Sequence, residues 1–353
     1  MIRTLNVFLL TVFVGLVSTP AISETIPAAP MVALENWCDP ISPKHNEGPA
    51  ARYFTEAFVA DDIINERFRA LAKKVNDWRN PGCVWADGRH RMSAFYWGVS
   101  LAFNQNSDWS MLAAKVKKLK EAYPKSDFTA VIEAEYWIKY AWSARGNGYG
   151  SSVTPDGRRL FRERLEVAEK ILLEAKPYSM DFPIWYAQMI AVQGFLGRDG
   201  GVISSTFKEG VEKFNNFLSL YYAMSEFMLP KWGGSWVGYD SFVNWAVENT
   251  KATEGNSLYA YLYMIPVDEI YPGEDVFKVT KASWPKMMAG FDDLVKRHSN
   301  SYWILNNFAA FSCRAADKKK YIEVRKKIGP EVIEQAWKRP YTQDLCDSKF
   351  GYK

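Results

Sequence analysis

The side chains in this sequence best suited to metal or nucleophilic chemistry are four cysteines and three histidines. Metal binding needs close spacing, such as CxxC or HxxxH, and Cys38, Cys83, Cys313 and Cys346 are all far apart. Of the histidines, His45 lies in a proline-rich stretch and His298 falls at a helix end. His90, in "DGRHRMSAFYW", has the richest surroundings. Asp87 is placed to cap a helix, and Arg89 and Arg91 flank the imidazole, a pattern that fits either a small anion site at a helix start or an exposed first turn. The two cations would lower the affinity of His90 for a proton. No metal and no cofactor is expected.

Two glycine-rich stretches invite catalytic readings. "LPKWGGSW", residues 229–236, sets Ser235 among glycines as a nucleophile elbow would, but the second glycine, Gly238, comes one residue late. A helix precedes the serine where the elbow requires a strand. Pro230 as a helix stop, Gly233 and Gly234 as the bend, and Trp232 and Trp236 packed across it make a structural corner. As a contact site, the same stretch offers Lys231 beside the flat faces of Trp232, Trp236 and Tyr239, suited to stacking on a sugar ring or gripping a peptide. Gly146-Asn147-Gly148-Tyr149-Gly150 matches neither phosphate-loop pattern and reads as a connection to a helix capped by Thr154-Pro155-Asp156.

The carboxylate pairs Glu133/Glu135 and Asp292/Asp293 point to different helix faces and share no substrate. Lys318-Lys319-Lys320 and Arg325-Lys326-Lys327 flank a stripe of Tyr321, Val324 and Ile328, and read as a solvated face. A formal charge of +4 on 353 residues gives no footprint for nucleic acid.

The elements around these residues are helical. In 109–123, Trp109, Leu112, Val116, Leu119 and Tyr123 recur at helical spacing, Pro124 ends the run, and Ser126 or Asp127 can cap a second helix from Phe128. A shift of 175 residues lays Trp109 on Trp284, Leu119 on Leu294, Ser126 on Ser301 and Ala134 on Ala309, an internal repeat in which His298 takes the place of Tyr123. Phe161, Leu165, Ala168 and Leu172 form another stripe, followed by a helix around Trp185, Met189 and Phe195. Further pairs read at 206–229, 238–265 and 318–338. Convincing strands are missing.

At the start, Arg3, an apolar run from Val7 to Val17, Pro20 and Ala21-Ile22-Ser23 make a secretory signal peptide over residues 1–23. The apolar run falls short of the roughly 18 residues a spanning helix needs. A proline-rich arm over 24–50, a helical domain over 51–340 and a tail over 341–353 follow, with no transmembrane segment after cleavage. In an oxidising compartment an even cysteine count implies disulfides. Three pairings are possible. Cys38–Cys83 and Cys313–Cys346 are preferred because each ties a poorly patterned terminal segment to a neighbouring helix, for about 3–4 kcal/mol apiece.

Helical pairs of this length, each with an apolar face that its neighbours must cover, resemble tetratricopeptide-like repeats. The stretches "ARGNGYGSSVTPDGRRLFRERLEVA", "FPIWYAQM" and "YYAMSEFMLPKWGGSWVGYDSFVNWA" resemble an uncharacterised bacterial domain-of-unknown-function family with such helices. The resemblance implies an all-α, curved superhelix with a concave face and brings no activity with it. The expectation is an exported interaction or scaffold module, periplasmic or secreted, that binds a protein or peptide partner or an envelope glycan. The rival is an envelope hydrolase acting on glycans, with carboxylates drawn from distant helices.

Overall fold

The computed structural model describes residues 36–39, 48–103, 108–148, 150–268, 270 and 274–352. The signal peptide, most of the proline-rich arm and His45 lie outside the described residues. Among those described there are sixteen α-helices and no strand, only an isolated bridge between Val84 and His90. The fold is all-α, and among the described residues no helix is long and apolar enough to cross a membrane.

The first three helices are α1 (Gly48–Ile64), α2 (Phe68–Trp78) and α3 (Ser93–Ala102). Pairs then follow in antiparallel order: α4 (Trp109–Ala122) with α5 (Asp127–Arg145), α6 (Pro155–Ser179) with α7 (Pro183–Phe195), and α8 (Gly200–Lys213) with α9 (Leu218–Glu226). α10 (Trp236–Glu254) and α11 (Ser257–Met264) complete this series. After a short α12 (Val276–Val279) come α13 (Trp284–Arg297), α14 (Tyr302–Arg314), α15 (Lys318–Ile328) and α16 (Gln343–Phe350). Helices α3, α5, α7, α9 and α11 touch one another in turn and form an inner layer; α4, α6, α8 and α10 each back a neighbour in it.

The 175-residue repeat is in register. α4 and α13 start on Trp109 and Trp284 and end on Ala122 and Arg297, and α5 and α14 start on Asp127 and Tyr302. Leu112, Val116 and Leu119 are buried, as are Met287, Phe291 and Leu294. Tyr123 and His298 close the two outer helices alike, each donating its backbone N–H to the leucine carbonyl four residues back, at 2.8 Å in both. The caps are less alike. Ser301 Oγ accepts from the backbone of Ile304 at 3.2 Å. The side chain of Ser126 makes no such bond, and the Asp127 carboxylate instead takes Arg79 Nη2 at 2.7 Å.

Both preferred disulfides are formed, with Cα separations of 5.0 Å for Cys38–Cys83 and 5.9 Å for Cys313–Cys346. The second one belongs to no loose tail. α16 packs its Cys346 and Phe350 into the core, and Asp347 accepts from Tyr321 Oη at 2.6 Å and from Arg325 Nε at 3.2 Å. The boundary expected at 340 therefore falls inside the folded body. Arg325 leaves the solvated face assigned to it and is buried against Asp347 and the Gly329 carbonyl. Residues 318–338 form no helix pair, since α15 is followed only by a 3₁₀ turn, Glu334–Ala336.

The segment joining α2 to α3 decides the architecture. Residues 79–92 cross the ends of the inner helices. Arg79 meets Asp127 at the start of α5 and covers the ring of Phe182, the residue before α7, at 5.1 Å. His90 packs edge-on against Phe217, the residue before α9, at 5.6 Å. The Asp87 carbonyl accepts from Tyr261 Oη on α11, and the His298 ring rests on Gly88. On α1, Arg52 lies over Trp303, near the start of α14, at 5.3 Å. The first helix thus reaches α14, late in the series. Gly98 permits this seating: a Cβ there would come within 2.6 Å of the Glu56 carbonyl and 2.5 Å of Val59 Cβ.

Candidate functional site

The corner at 229–236 is architecture. Pro230 opens a 3₁₀ turn, Gly233 adopts φ +88°, and a Cβ on Gly234 would sit 2.0 Å from the Met228 carbonyl oxygen. Ser235 caps α10 by accepting from the Gly238 backbone at 3.0 Å. Trp232 packs with Trp142, Phe195 and Phe227 at ring separations of 6.5, 5.4 and 5.9 Å. Its indole N–H donates to Glu226 Oε1 at 2.7 Å, and Lys231 Nζ approaches the same oxygen at 2.9 Å. Trp236 is half-buried, 5.9 Å from the Tyr239 ring. Tyr239 presents no surface face: it is fully buried and donates its hydroxyl to the Leu262 carbonyl at 2.7 Å. The four residues proposed as one contact surface are therefore divided between a packed corner and the core.

Asp87 caps no helix either. Its carboxylate, with no exposed surface, accepts from Arg52 Nη1 at 3.2 Å and from Arg89 Nε at 2.8 Å. In His90, Nδ1 accepts from the Met92 backbone and Nε2 faces the Asn80 carbonyl, both at 3.1 Å, so Nε2 carries the proton. Burial, rather than the adjacent arginines, lowers its proton affinity.

The polar residues that the fold does bring together line the inner layer. Four helices each present a pair one turn apart: Arg52 and Glu56 on α1, Tyr96 and Ser100 on α3, Glu135 and Lys139 on α5, Tyr222 and Glu226 on α9. At one end Arg52, Glu56, Arg89, Asp87 and Tyr222 act on one another electrostatically. At the other, Tyr96 feels Glu135 and Glu226, and Glu135 is tied to Lys139 and Gln188. Chain surrounds these groups, yet side-chain exposures of 14% for Arg52, 18% for Arg89 and 27% for Glu226 mean that water reaches them. Glu226 joins this interior to the corner through Lys231 and Trp232.

The electrostatics follow from low hydration and a shared carboxylate. Burial opposes ionisation of Asp87, but Arg89 and Arg52 overturn it and hold the acid below its usual range. Burial lowers Arg52 to about 10, with Arg89 pushing the same way. Burial pushes Glu56 up to about 7 against the pull of both arginines, and Tyr222 up to about 12. Lys139 is lowered and Glu135 raised, again chiefly by burial. Among the described residues Glu56 makes no hydrogen bond or ion pair.

No protein-family model, curated protein or solved structure matches this chain.

Sequence reasoning passed over this interior. The missed signal was charge inside helices that are apolar nearly all round: α1 reads GPAARYFTEAFVADDII and α5 reads DFTAVIEAEYWIKYAWSAR. Such helices are buried, so Arg52, Glu56, Glu135 and Lys139 had to face one another or a filled interior.

Proposed function

We propose that this is an exported helical-repeat protein, its pairs stacked as in tetratricopeptide-like superhelices, that binds a peptide or protein partner along its inner face. The single observation carrying this reading is Glu56, a carboxyl enclosed by chain, reached by water and left without a hydrogen bond or ion pair among the described residues, when the other buried charges described are ion-paired or hydrogen-bonded. Burying such a group is costly, and a ligand that hydrogen-bonds it repays that cost. Two disulfides accord with an oxidising, extracytoplasmic compartment. The corner supports a rival surface less well, since Tyr239 is fully buried and Trp232 packs against three rings.

The test compares two double variants of the mature chain, immobilised and exposed to an equimolar tetrapeptide mixture. Glu56→Gln with Tyr96→Phe is expected to change the captured peptides, and Trp232→Ala with Trp236→Ala to leave them the same. Capture that depended on the corner and ignored the inner pair would reverse the assignment.

A second reading rests on the same acid. A carboxyl that keeps its proton to about pH 7 has the form of a general acid, and Glu226, at the other end of the same interior, would be the second carboxylate that glycan hydrolysis requires. Release of reducing ends from envelope glycan by the wild type but not by Glu56→Gln would favour it.

A further inference from the structure

The end of the interior nearest α1 holds more positive charge than its fixed partners cancel. Arg52 and Arg89 share one carboxylate, and on the same oxygen: Asp87 Oδ2 meets Arg52 Nη1 at 3.2 Å and Arg89 Nε at 2.8 Å. The remaining capacity of Asp87 is used at home, where Oδ1 accepts the Arg89 backbone N–H at 3.2 Å and the main-chain carbonyl takes Tyr261 Oη. Of the five N–H donors of Arg52, one has a hydrogen-bond partner among the described residues, while the guanidinium lies over Trp303 at 5.3 Å. Glu56, one turn along α1, supplies no ion pair among the described residues. It is buried enough to remain a neutral acid in weakly acidic solution, and so adds a donor and no negative charge. The Tyr222 hydroxyl faces the same arginines from α9.

We propose that Arg52, Glu56 and Tyr222 form a subsite for a carboxylate, with Arg89 and Asp87 as its fixed electrostatic floor. Arg52 donates to the incoming oxygens, the protonated Glu56 carboxyl donates one further hydrogen bond, and Tyr222 donates a third. The added negative charge balances the second guanidinium. This deepens the inner-face reading and rests on it for access: the ligand class is an acidic one, a peptide with a free C-terminus or an acidic side chain.

Charge and proton state make the subsite pH-dependent. Glu56 is faced by Arg52 from its own helix and by Arg89 and Asp87 from the 79–92 segment. Tyr222 on α9, Tyr261 on α11 and His298 at the end of α13 complete the surroundings. The two tyrosines hold their protons throughout the neutral range. His298 is kept neutral there chiefly by burial, so Glu56 is the group that changes. Once ionised, it removes a donor and repels the ligand.

The test uses sodium acetate as the probe, with acetamide as its neutral isostere, at constant ionic strength set with chloride. The readout is the thermal-unfolding midpoint of the full mature chain. A saturable rise with acetate and none with acetamide is expected at pH 5.5. If only the protonated acid binds, the half-saturating concentration increases about thirtyfold by pH 8.5. Glu56→Gln, which keeps a donor and cannot ionise, should retain the acetate response and lose its pH dependence. Arg52→Gln should lose the response; if that chain does not fold, Tyr222→Phe is read instead and should weaken it several-fold. Equal responses to acetate and acetamide, a response to inorganic phosphate alone, or an unchanged pH dependence in Glu56→Gln would each overturn the proposal. Tetrapeptides that carry a carboxylate, at a free C-terminus or in a side chain, and amidated tetrapeptides that carry none separate the two readings. Equal binding of both forms refutes the subsite and leaves the inner-face function standing, whereas an acetate response without peptide binding does the reverse.

Discussion

Replacing Glu56 by glutamine should make the protein more stable in mild alkali and leave it nearly unchanged in acid. In the folded chain Glu56 keeps its proton to about pH 7, against an ordinary 4.5. A group that binds its proton more tightly when folded favours the native state fully below the unfolded value, and that advantage is lost as pH rises through the folded one. The interval is roughly two and a half pH units at about 1.4 kcal/mol each, so about 3 kcal/mol disappears between pH 4 and pH 8. Glutamine has a similar shape and never ionises, so the variant escapes this loss. The assay is urea unfolding with disulfides intact, at half-unit steps from pH 4 to 8.5, because urea does not screen charge as guanidinium does. His90 and His298 titrate in both chains and cancel in the difference. The stability of the variant minus that of the wild type should climb by about 3 kcal/mol, with its midpoint between pH 5 and 7. A difference that stayed flat would mean that Glu56 is hydrated like a surface acid, and the argument for an enclosed interior would fail.

Three further outcomes follow from packing. Gly98→Ala forces a methyl group against the Glu56 carbonyl and Val59, and should destabilise by about 1–3 kcal/mol in chemical denaturation while lifting α1 from α3. Asn306→Leu strands the Ile333 and Trp337 N–H donors and the Glu331 carbonyl that its amide serves, each worth about 1–3 kcal/mol, and should release the 330–337 segment to fast amide exchange. Removing the Cys313–Cys346 bridge by paired serines opens a loop with a sequence separation of 33 and should cost about 4 kcal/mol, read from urea midpoints.

Much of the layout was legible because it is local. Trp109, Leu112, Val116 and Leu119 announce α4, and the same spacing 175 residues on announces α13 with the same first and last positions. Cysteine arithmetic and the need to anchor terminal segments led to both disulfides. Pro230, Gly233 and Gly234 marked a bend whose backbone demands are local too. What escaped depends on contacts between residues far apart in the chain. Nothing near Asp87 indicates that Tyr261 will bond its carbonyl, so it read as a helix cap. Tyr239 looked like surface decoration because a tyrosine hydroxyl can be satisfied by water, and only the position of α11 brings the Leu262 carbonyl to it. The tail after Pro340 lacks an apolar stripe of its own, and its Cys346 and Phe350 acquire meaning only against α15 and Tyr321.

The contact between Arg52 and Trp303 acts as a clasp between the first helix of the series and its fourteenth. In an open array, terminal units fray independently and pairs can be added or removed at modest expense, because each unit depends only on its neighbours. Here the length of the series is constrained: an extra hairpin would carry Trp303 beyond the reach of α1, and a missing one would drive the two into collision. Unfolding of either helix should therefore be felt at the other.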